Sequence, residues 1–206
     1  PVRRVVLEGD PARKIVELAH REGADLIVMP THGYGPFRRF ILGSVAAKVL
    51  HDADCPVMTG VHLEQAPPQD SIRFQRILAA VDLGPQSGRT LEWAAWLGAN
   101  LDAGLTAVHV APCVGLQPGE TSGSAADLAE VERVRRELSN LAAAADAKPE
   151  ILVESGDPPG AICRAARELG ACLLVIGRGS AAGMFGRLRT NAYAIIRQSP
   201  CPVVSV

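Results

Sequence analysis

The chain has 206 residues, of which 48% are hydrophobic and 21% charged, a balance typical of a globular protein with a sizeable core. A formal net charge of −1 and an aromatic content of 4% argue against a basic, base-stacking surface, so we expect no nucleic-acid partner. No apolar run approaches the roughly 20 residues that span a bilayer, and no signal peptide opens the chain, which predicts a cytoplasmic protein without a membrane partner. The five cysteines form no C-x-x-C pair, which argues against disulfides and a zinc site.

The first predicted elements run from a strand at 2–7 to a strand at 56–61. Between them lie a Gly-Asp-Pro turn at 9–11, a helix, a strand at 23–29, a loop and a short helix at 45–50. An aspartate before a proline is a common turn former and helix cap, so the turn predicts a capped helix start. The last strand begins with the tripeptide Cys-Pro-Val.

Residues 62–72, with two consecutive prolines, predict a linker to a longer second segment. That segment opens with elements that have no counterpart in the first one. They are strands at 76–82 and 105–110 and helices at 89–101 and 125–147. His109 lies inside the second of these strands and is predicted to be a core residue.

From residue 150 the order of motifs in the first segment returns. It comprises a strand at 150–154, a second Gly-Asp-Pro turn, a helix at 159–169, a strand at 172–176, a glycine-rich loop, a helix at 190–198 and a strand at 202–206 that again opens with Cys-Pro-Val. Internal repeats fix the unit of architecture, so we expect the back half of one domain at 1–61 and a complete domain at 73–206. Apolar strands that alternate with helices predict a parallel sheet covered on both faces.

The loop of the first segment has the composition of an anion site. After the strand come Pro30 and Gly33, and nine residues later Gly43 and Ser44 open a helix. Glycines let backbone amides approach a phosphate, and the start of a helix favours an anion. The same residues are also compatible with a plain capped helix after a turn, so spacing alone leaves both interpretations open.

Taken together, the turn, the G-x-x-G-x9-G-S/T type of loop and the closing Cys-Pro-Val strand resemble the universal stress protein (UspA) family. The resemblance covers nearly the whole chain. It implies an open parallel five-stranded α/β sheet of the adenine-nucleotide α-hydrolase-like type, strand order 3-2-1-4-5, repeated in tandem. It also implies an adenine-nucleotide site at the switch point of the sheet.

Position by position, both copies depart from the family motif. In the first copy Gly33, Gly43 and Ser44 match, but Pro30 replaces the first glycine and has no amide proton. In the second copy Arg189 replaces a glycine. The second-copy residues that the resemblance assigns to a nucleotide are Asp82, Val110, Gly177, Gly179 and Thr190.

Two arginines of the second loop, Arg178 and Arg187, fit either an anion site or a solvated face, and the sequence leaves both interpretations open. No nucleophile–base pair and no metal-ligand cluster stands out, so we expect no catalytic residues.

The resemblance therefore predicts a stress-response protein that weakly binds ATP or a related adenine nucleotide, with Mg²⁺ only alongside ATP, and that regulates rather than catalyses. The alternative is a non-nucleotide member that acts as a structural or protein-interaction dimer. We expect a homodimer or pseudo-dimer through the Cys-Pro-Val strands, because apolar edge strands need partners. We also expect the front strands of the first unit to be supplied by the native gene product or by a second chain.

Overall fold

The computed structural model describes residues 2–31, 42–60, 73–111, 125–178 and 187–206. Six helices are present there: α1 (Pro11–Glu22), α2 (Ser44–Asp52), α3 (Ser87–Leu101), α4 (Ala125–Ala144), α5 (Pro158–Glu168) and α6 (Arg187–Gln198). Seven strands accompany them: β1 (Ile27–Met29), β2 (Val57–Thr59), β3 (Arg76–Ala80), β4 (Gly104–Ala111), β5 (Glu150–Ser155), β6 (Leu173–Ile176) and β7 (Val203–Ser205). Within these ranges no helix is long and apolar enough to cross a membrane.

All seven strands belong to one sheet, in the order β1-β2-β7-β6-β3-β4-β5. The five strands of the second segment are mutually parallel and lie in the order β5-β4-β3-β6-β7. Counted within that segment this is the order 3-2-1-4-5, which confirms the expected α/β fold. Buried runs such as Leu173–Ile176 are apolar on both sides, as a strand covered by helices on two faces must be.

The two segments meet at the strands that follow the Cys-Pro motifs. β2 pairs antiparallel with β7, with Met58 opposite Val204, and the Thr59 hydroxyl donates a hydrogen bond of 3.3 Å to the Val203 carbonyl. β1 then pairs parallel with β2. The expected pairing of the two apolar edges is therefore present within this chain, and it produces a mixed sheet.

The predicted strand at 2–7 is wrong. Residues 2–8 have no strand pairing, and Val2 and Val6 are 93% and 97% exposed. In the expected strand order 3-2-1-4-5, residues 2–7 would be the third strand and would pair with the second strand. The first segment contributes no second strand to the described sheet. β1 consequently lies at the edge of the sheet, with Val28 66% exposed.

The repeated Gly-Asp-Pro turn starts a helix in both segments. Asp10 accepts a hydrogen bond of 2.9 Å from the Arg13 amide, and Asp157 accepts one of 3.2 Å from the Gly160 amide, so both carboxylates cap a helix as predicted. The preceding glycine has a φ of 129° in the first turn and 116° in the second. Few residues other than glycine adopt such angles, which explains why this turn opens with glycine.

The helices cover the two faces of the sheet unequally. Buried residues of α1, α2, α5 and α6 form one hydrophobic cluster with the strands, and α3 and α4 form the other. The structure begins α3 at Ser87, ahead of the predicted helix start at residue 89, and the Ser87 amide donates a hydrogen bond to the Gly84 carbonyl. The described cysteines are free thiols: Cys55, Cys163, Cys172 and Cys201.

Candidate functional site

The carboxyl ends of β3, β4 and β6 meet at the topological switch point of the sheet. The chain leaves β3 through α3 toward β4 on one side, and it returns through α5 to β6 on the other side. Connections that diverge in this way leave a crevice above the strand ends, where open α/β sheets bind ligands.

A cavity of about 340 Å³ occupies this crevice, hereafter the switch-point pocket. The volume lies in the range of about 300–1,000 Å³ that is usual for small-molecule sites. Most of its lining is apolar: Ala80, Val81, Pro85, Val110, Pro158, Ile162, Ile176, Ala192 and Ile195. Its polar residues are few: Asp82, Gln86, Ser87, Thr90, His109 and Asn191, with Gly177 beside them.

Asp82 is the acidic residue of this pocket and follows directly after β3. One carboxylate oxygen, Oδ1, accepts hydrogen bonds from the Gly84 amide at 2.9 Å and from the Ser87 hydroxyl at 3.1 Å. These bonds fix the carboxylate against the start of α3. The other oxygen, Oδ2, has no hydrogen-bond partner among the described residues, so it is available to a ligand hydroxyl.

His109 and Val110 form the β4 side of the pocket. The Nδ1 atom of His109 lies 2.9 Å from the Val81 carbonyl, and because a carbonyl only accepts, Nδ1 carries the proton. His109 is half-buried, so it is a satisfied residue at the rim of the pocket and not the core residue expected from the sequence. Val110 lines the pocket, and its contact with a nucleotide stays a prediction.

Gly177 follows β6 and lets the start of α3 approach closely. A Cβ atom at this position would lie 3.1 Å from the Thr90 hydroxyl oxygen, which itself donates to the Gln86 carbonyl at 3.0 Å. A side chain here would therefore push against α3. Gly177 thus lets α3 lie close to the end of β6 at the pocket lining, and its role in binding a nucleotide stays a prediction.

The other predicted residues divide into three groups. Thr190 lies in the first turn of α6, directly before Asn191 of the pocket lining. Gly43 and Ser44 form the start of α2 in the first segment, and neither lines the switch-point pocket. Gly33 and Gly179 lie outside the described residues.

Arg178 follows Gly177, but its side chain turns toward the first segment. Its guanidinium donates to the carbonyls of Ala53 at 2.6 Å, Cys55 at 2.9 Å and Leu50 at 3.3 Å, at and just beyond the end of α2. Burial, and then the like charge of Arg89, lower the pKa of this guanidinium from its ordinary value. The cation meets the negative end of the α2 dipole, so Arg178 is neither free in the loop nor on a solvated face.

Several residues that line the pocket were not predicted as site residues, among them Gln86, Ser87, Pro158 and Asn191. Pro158 lies in the second predicted Gly-Asp-Pro turn, and Ser87 lies between the predicted strand at 76–82 and the predicted helix at 89–101. A signal existed, because both follow the carboxyl end of a predicted parallel strand, and such ends share one edge of the sheet. Gln86 and Asn191 carry no motif that points to them.

A statistical model of the "Universal stress protein family" matches residues 1–59 and 73–206. A universal stress protein of Methanocaldococcus jannaschii is 53% identical over 53 residues, which cover 26% of this chain and 31% of that protein. A crystal structure of a universal stress protein from Archaeoglobus fulgidus is 28% identical with a TM-score of 0.64, over 96% of this chain and 65% of that one.

A universal stress protein solved in complex with cAMP is 24% identical with a TM-score of 0.50, over 65% of this chain and 97% of that one, a likeness that shows the fold alone. The match to the M. jannaschii protein spans less than a third of its length. The family match, in contrast, covers the whole chain except residues 60–72. The chain therefore belongs to the universal stress protein family.

Proposed function

We propose that the chain is a cytoplasmic regulatory protein that binds an adenine nucleotide weakly in the switch-point pocket. The proposal rests on two features that lie together in this pocket. The Asp82 carboxylate is held by two hydrogen bonds and has one oxygen without a partner among the described residues, and most of the lining around it is apolar. A nucleoside offers the complementary groups, namely ribose hydroxyls that donate hydrogen bonds and a flat base that buries apolar surface.

In this proposal Asp82 Oδ2 accepts a hydrogen bond from a ribose hydroxyl, the role that an acidic residue near a strand end has in other nucleotide-binding α/β folds. The base packs against Val110 and its apolar neighbours. The cAMP complex of a protein with the same fold supports an adenine nucleotide as the ligand class.

The phosphates would extend past Gly177 toward the start of α6. Amides at a helix start point outward and the helix dipole favours negative charge there, so the phosphates would meet the backbone of the first turn of α6, which includes Thr190. Because few charged groups line the pocket, we expect micromolar affinity or weaker, roughly −8 kcal/mol at most.

The test is calorimetric titration of ATP and of adenosine into the wild-type chain and into Asp82→Asn. Asparagine keeps an oxygen for the Gly84 and Ser87 hydrogen bonds and removes the charged acceptor that would face the ligand. We expect Asp82→Asn to weaken both ligands by about 1–3 kcal/mol, the scale for a hydrogen bond to a charged group.

Asp102→Asn is the matched control, because Asp102 ends α3 in a left-handed conformation that asparagine tolerates, and it does not line the pocket. Its affinity for both ligands should equal that of the wild type. Absence of binding to the wild type at millimolar ATP would reject the nucleotide function. If Asp82→Asn leaves the affinity unchanged, the nucleotide binds at a site other than the switch-point pocket.

We propose binding without fast chemistry. Among the described residues, no three His, Cys, Asp or Glu side chains come together to hold a metal ion. Any Mg²⁺ would then be held mainly by the phosphates of ATP. Release of inorganic phosphate from ATP, followed over hours in the calorimetry samples, measures whether slow hydrolysis accompanies binding.

The second candidate is a protein-interaction role without nucleotide. One observation favours it: apolar side chains are exposed in the first segment, at Val2, Val6 and at Val28 on the edge strand β1. Exposed apolar edges favour pairing with another chain. A homodimer that persists in sedimentation without nucleotide, and that Val28→Lys dissociates, would support this candidate.

A further inference from the structure

A second cavity, of about 220 Å³, lies where the two segments meet, and we call it the junction cavity. The end of α2, the region where α3 begins, one side of α6 and the end of β7 contribute to it. Gln86 and Ala192 line both this cavity and the switch-point pocket, so the two spaces adjoin.

Two arginines line the junction cavity, one from each side. Arg178 has five N–H donors, and its described hydrogen bonds to carbonyls use three of them. Arg89, near the start of α3, forms no hydrogen bond or ion pair with any described residue. Both side chains line the same cavity, and the positive charge of Arg89 is among the causes that lower the pKa of Arg178. Two like charges at one cavity favour an anion between them.

The acidic side chains of this region lie outside the cavity lining, and the charge of Asp54 partly offsets the lowering of the Arg178 pKa. No Asp or Glu side chain lines the cavity. Nearby, Asp52 contacts His51, and Asp54 lies 3.0 Å from His20, so both are engaged by histidines. Val206 also lines the cavity, and its main-chain oxygen accepts a hydrogen bond from the Arg178 amide at 3.0 Å.

A third group at the junction cavity lacks a partner. Ser205 lines it, is 1% exposed, and its hydroxyl makes no hydrogen bond to a described residue. A buried hydroxyl without a partner costs free energy, and an oxyanion is an acceptor that can satisfy it. The cavity is also large enough, since a water molecule takes roughly 30 Å³ in the liquid.

We propose that the junction cavity is a binding site for a phosphate-type oxyanion, held by Arg89, the free donors of Arg178 and the Ser205 hydroxyl. The anion is either a free phosphate group or the phosphate tail of a ligand whose nucleoside occupies the switch-point pocket. The site itself does not depend on the proposed nucleotide function, because its residues are distinct from Asp82 and Val110.

The test is titration of inorganic phosphate into the full chain, followed by calorimetry and by ³¹P line width, against sodium chloride at equal ionic strength. Arg89→Gln is the main variant, because Arg89 is exposed and its loss leaves the Arg178 contacts to the first segment intact. We expect phosphate to bind the wild type and Arg89→Gln to weaken it about tenfold or more.

Arg136→Gln is the matched control, since it removes the same charge from an exposed position on α4 away from the cavity. Its phosphate affinity should equal that of the wild type. The proposal is overturned if phosphate has no effect beyond that of chloride, or if the two arginine variants weaken phosphate equally. It is also overturned if Arg89→Gln binds phosphate like the wild type.

The source of the phosphate group is decided by repeating the titration with saturating adenosine and with saturating ATP. If the tail of the nucleotide occupies the junction cavity, ATP abolishes phosphate binding and adenosine does not. If the site takes a free anion, phosphate binds equally under both conditions. If neither adenosine nor ATP binds, the nucleotide function fails while the phosphate titration still decides the oxyanion site.

Discussion

Replacing Arg178 with methionine tests how strongly one side chain joins the two segments. The guanidinium donates hydrogen bonds to three carbonyls at 2.6, 2.9 and 3.3 Å. These carbonyls belong to residues that lie 123 to 128 positions away from Arg178 in the sequence. Methionine has a similar length and no donor, so it would leave these carbonyls, at and beyond the end of α2, without their partner.

The expected loss follows from the geometry. A hydrogen bond that involves a charged group contributes about 1.5–3 kcal/mol, and the bond of 3.3 Å contributes least. The stabilisation by these hydrogen bonds is partly offset by the free-energy cost of burying the guanidinium in the wild type. The contributions of neighbouring hydrogen bonds also do not add fully. We therefore expect Arg178→Met to lower the free energy of unfolding by about 2–4 kcal/mol. For a chain of this size that corresponds to a Tm lower by roughly 5–15 °C.

The assay is guanidinium chloride unfolding followed by circular dichroism, with Arg136→Met on the exposed side of α4 as the control. Arg178→Lys should lie between wild type and methionine, because lysine keeps the charge but not the planar fork of donors. A loss below about 0.5 kcal/mol in Arg178→Met, the size of an ordinary surface substitution, would refute this account of the junction. So would an equal loss in the control.

Three further expectations concern single residues. Gly177→Ala should lower the free energy of unfolding by about 1 kcal/mol in chemical denaturation, because its Cβ would lie 3.1 Å from the Thr90 hydroxyl oxygen; unchanged stability would mean that α3 can move away. Asp157→Ala should cost about 1 kcal/mol in the same assay through loss of the α5 cap, whereas Asp157→Asn should cost much less. Burial raises the pKa of Cys201 from 9.0 to about 11, so the folded chain holds this proton more tightly than the unfolded chain. The resulting stabilisation is complete below pH 9 and is lost as the pH rises toward 11, so denaturation across this range should show a steeper decline for the wild type than for Cys201→Ala.

Much of the local structure followed from residue patterns alone. The Gly-Asp-Pro turns start helices because a glycine can adopt positive φ and an aspartate caps the free amides that follow. The strands of the second segment were recognisable because a strand covered on both faces must be apolar throughout. Asp82, Val110 and Gly177 were predicted to share a site, and they line one pocket because parallel strands place their carboxyl ends together.

The sequence by itself determined the helix caps, because these depend on neighbours a few residues apart. The order of the five parallel strands and the edge of the sheet that carries the pocket were predicted through the resemblance to the family. Only the tertiary structure decided what depends on distant partners. Residues 2–7 are apolar enough for a strand but lack an adjacent strand, so they remain unpaired. Arg178 was ambiguous in the sequence, and its role was decided by carbonyls more than 120 residues away. Local patterns encode what a residue prefers, but hydrogen-bond partners and burial are fixed only when the segments pack together.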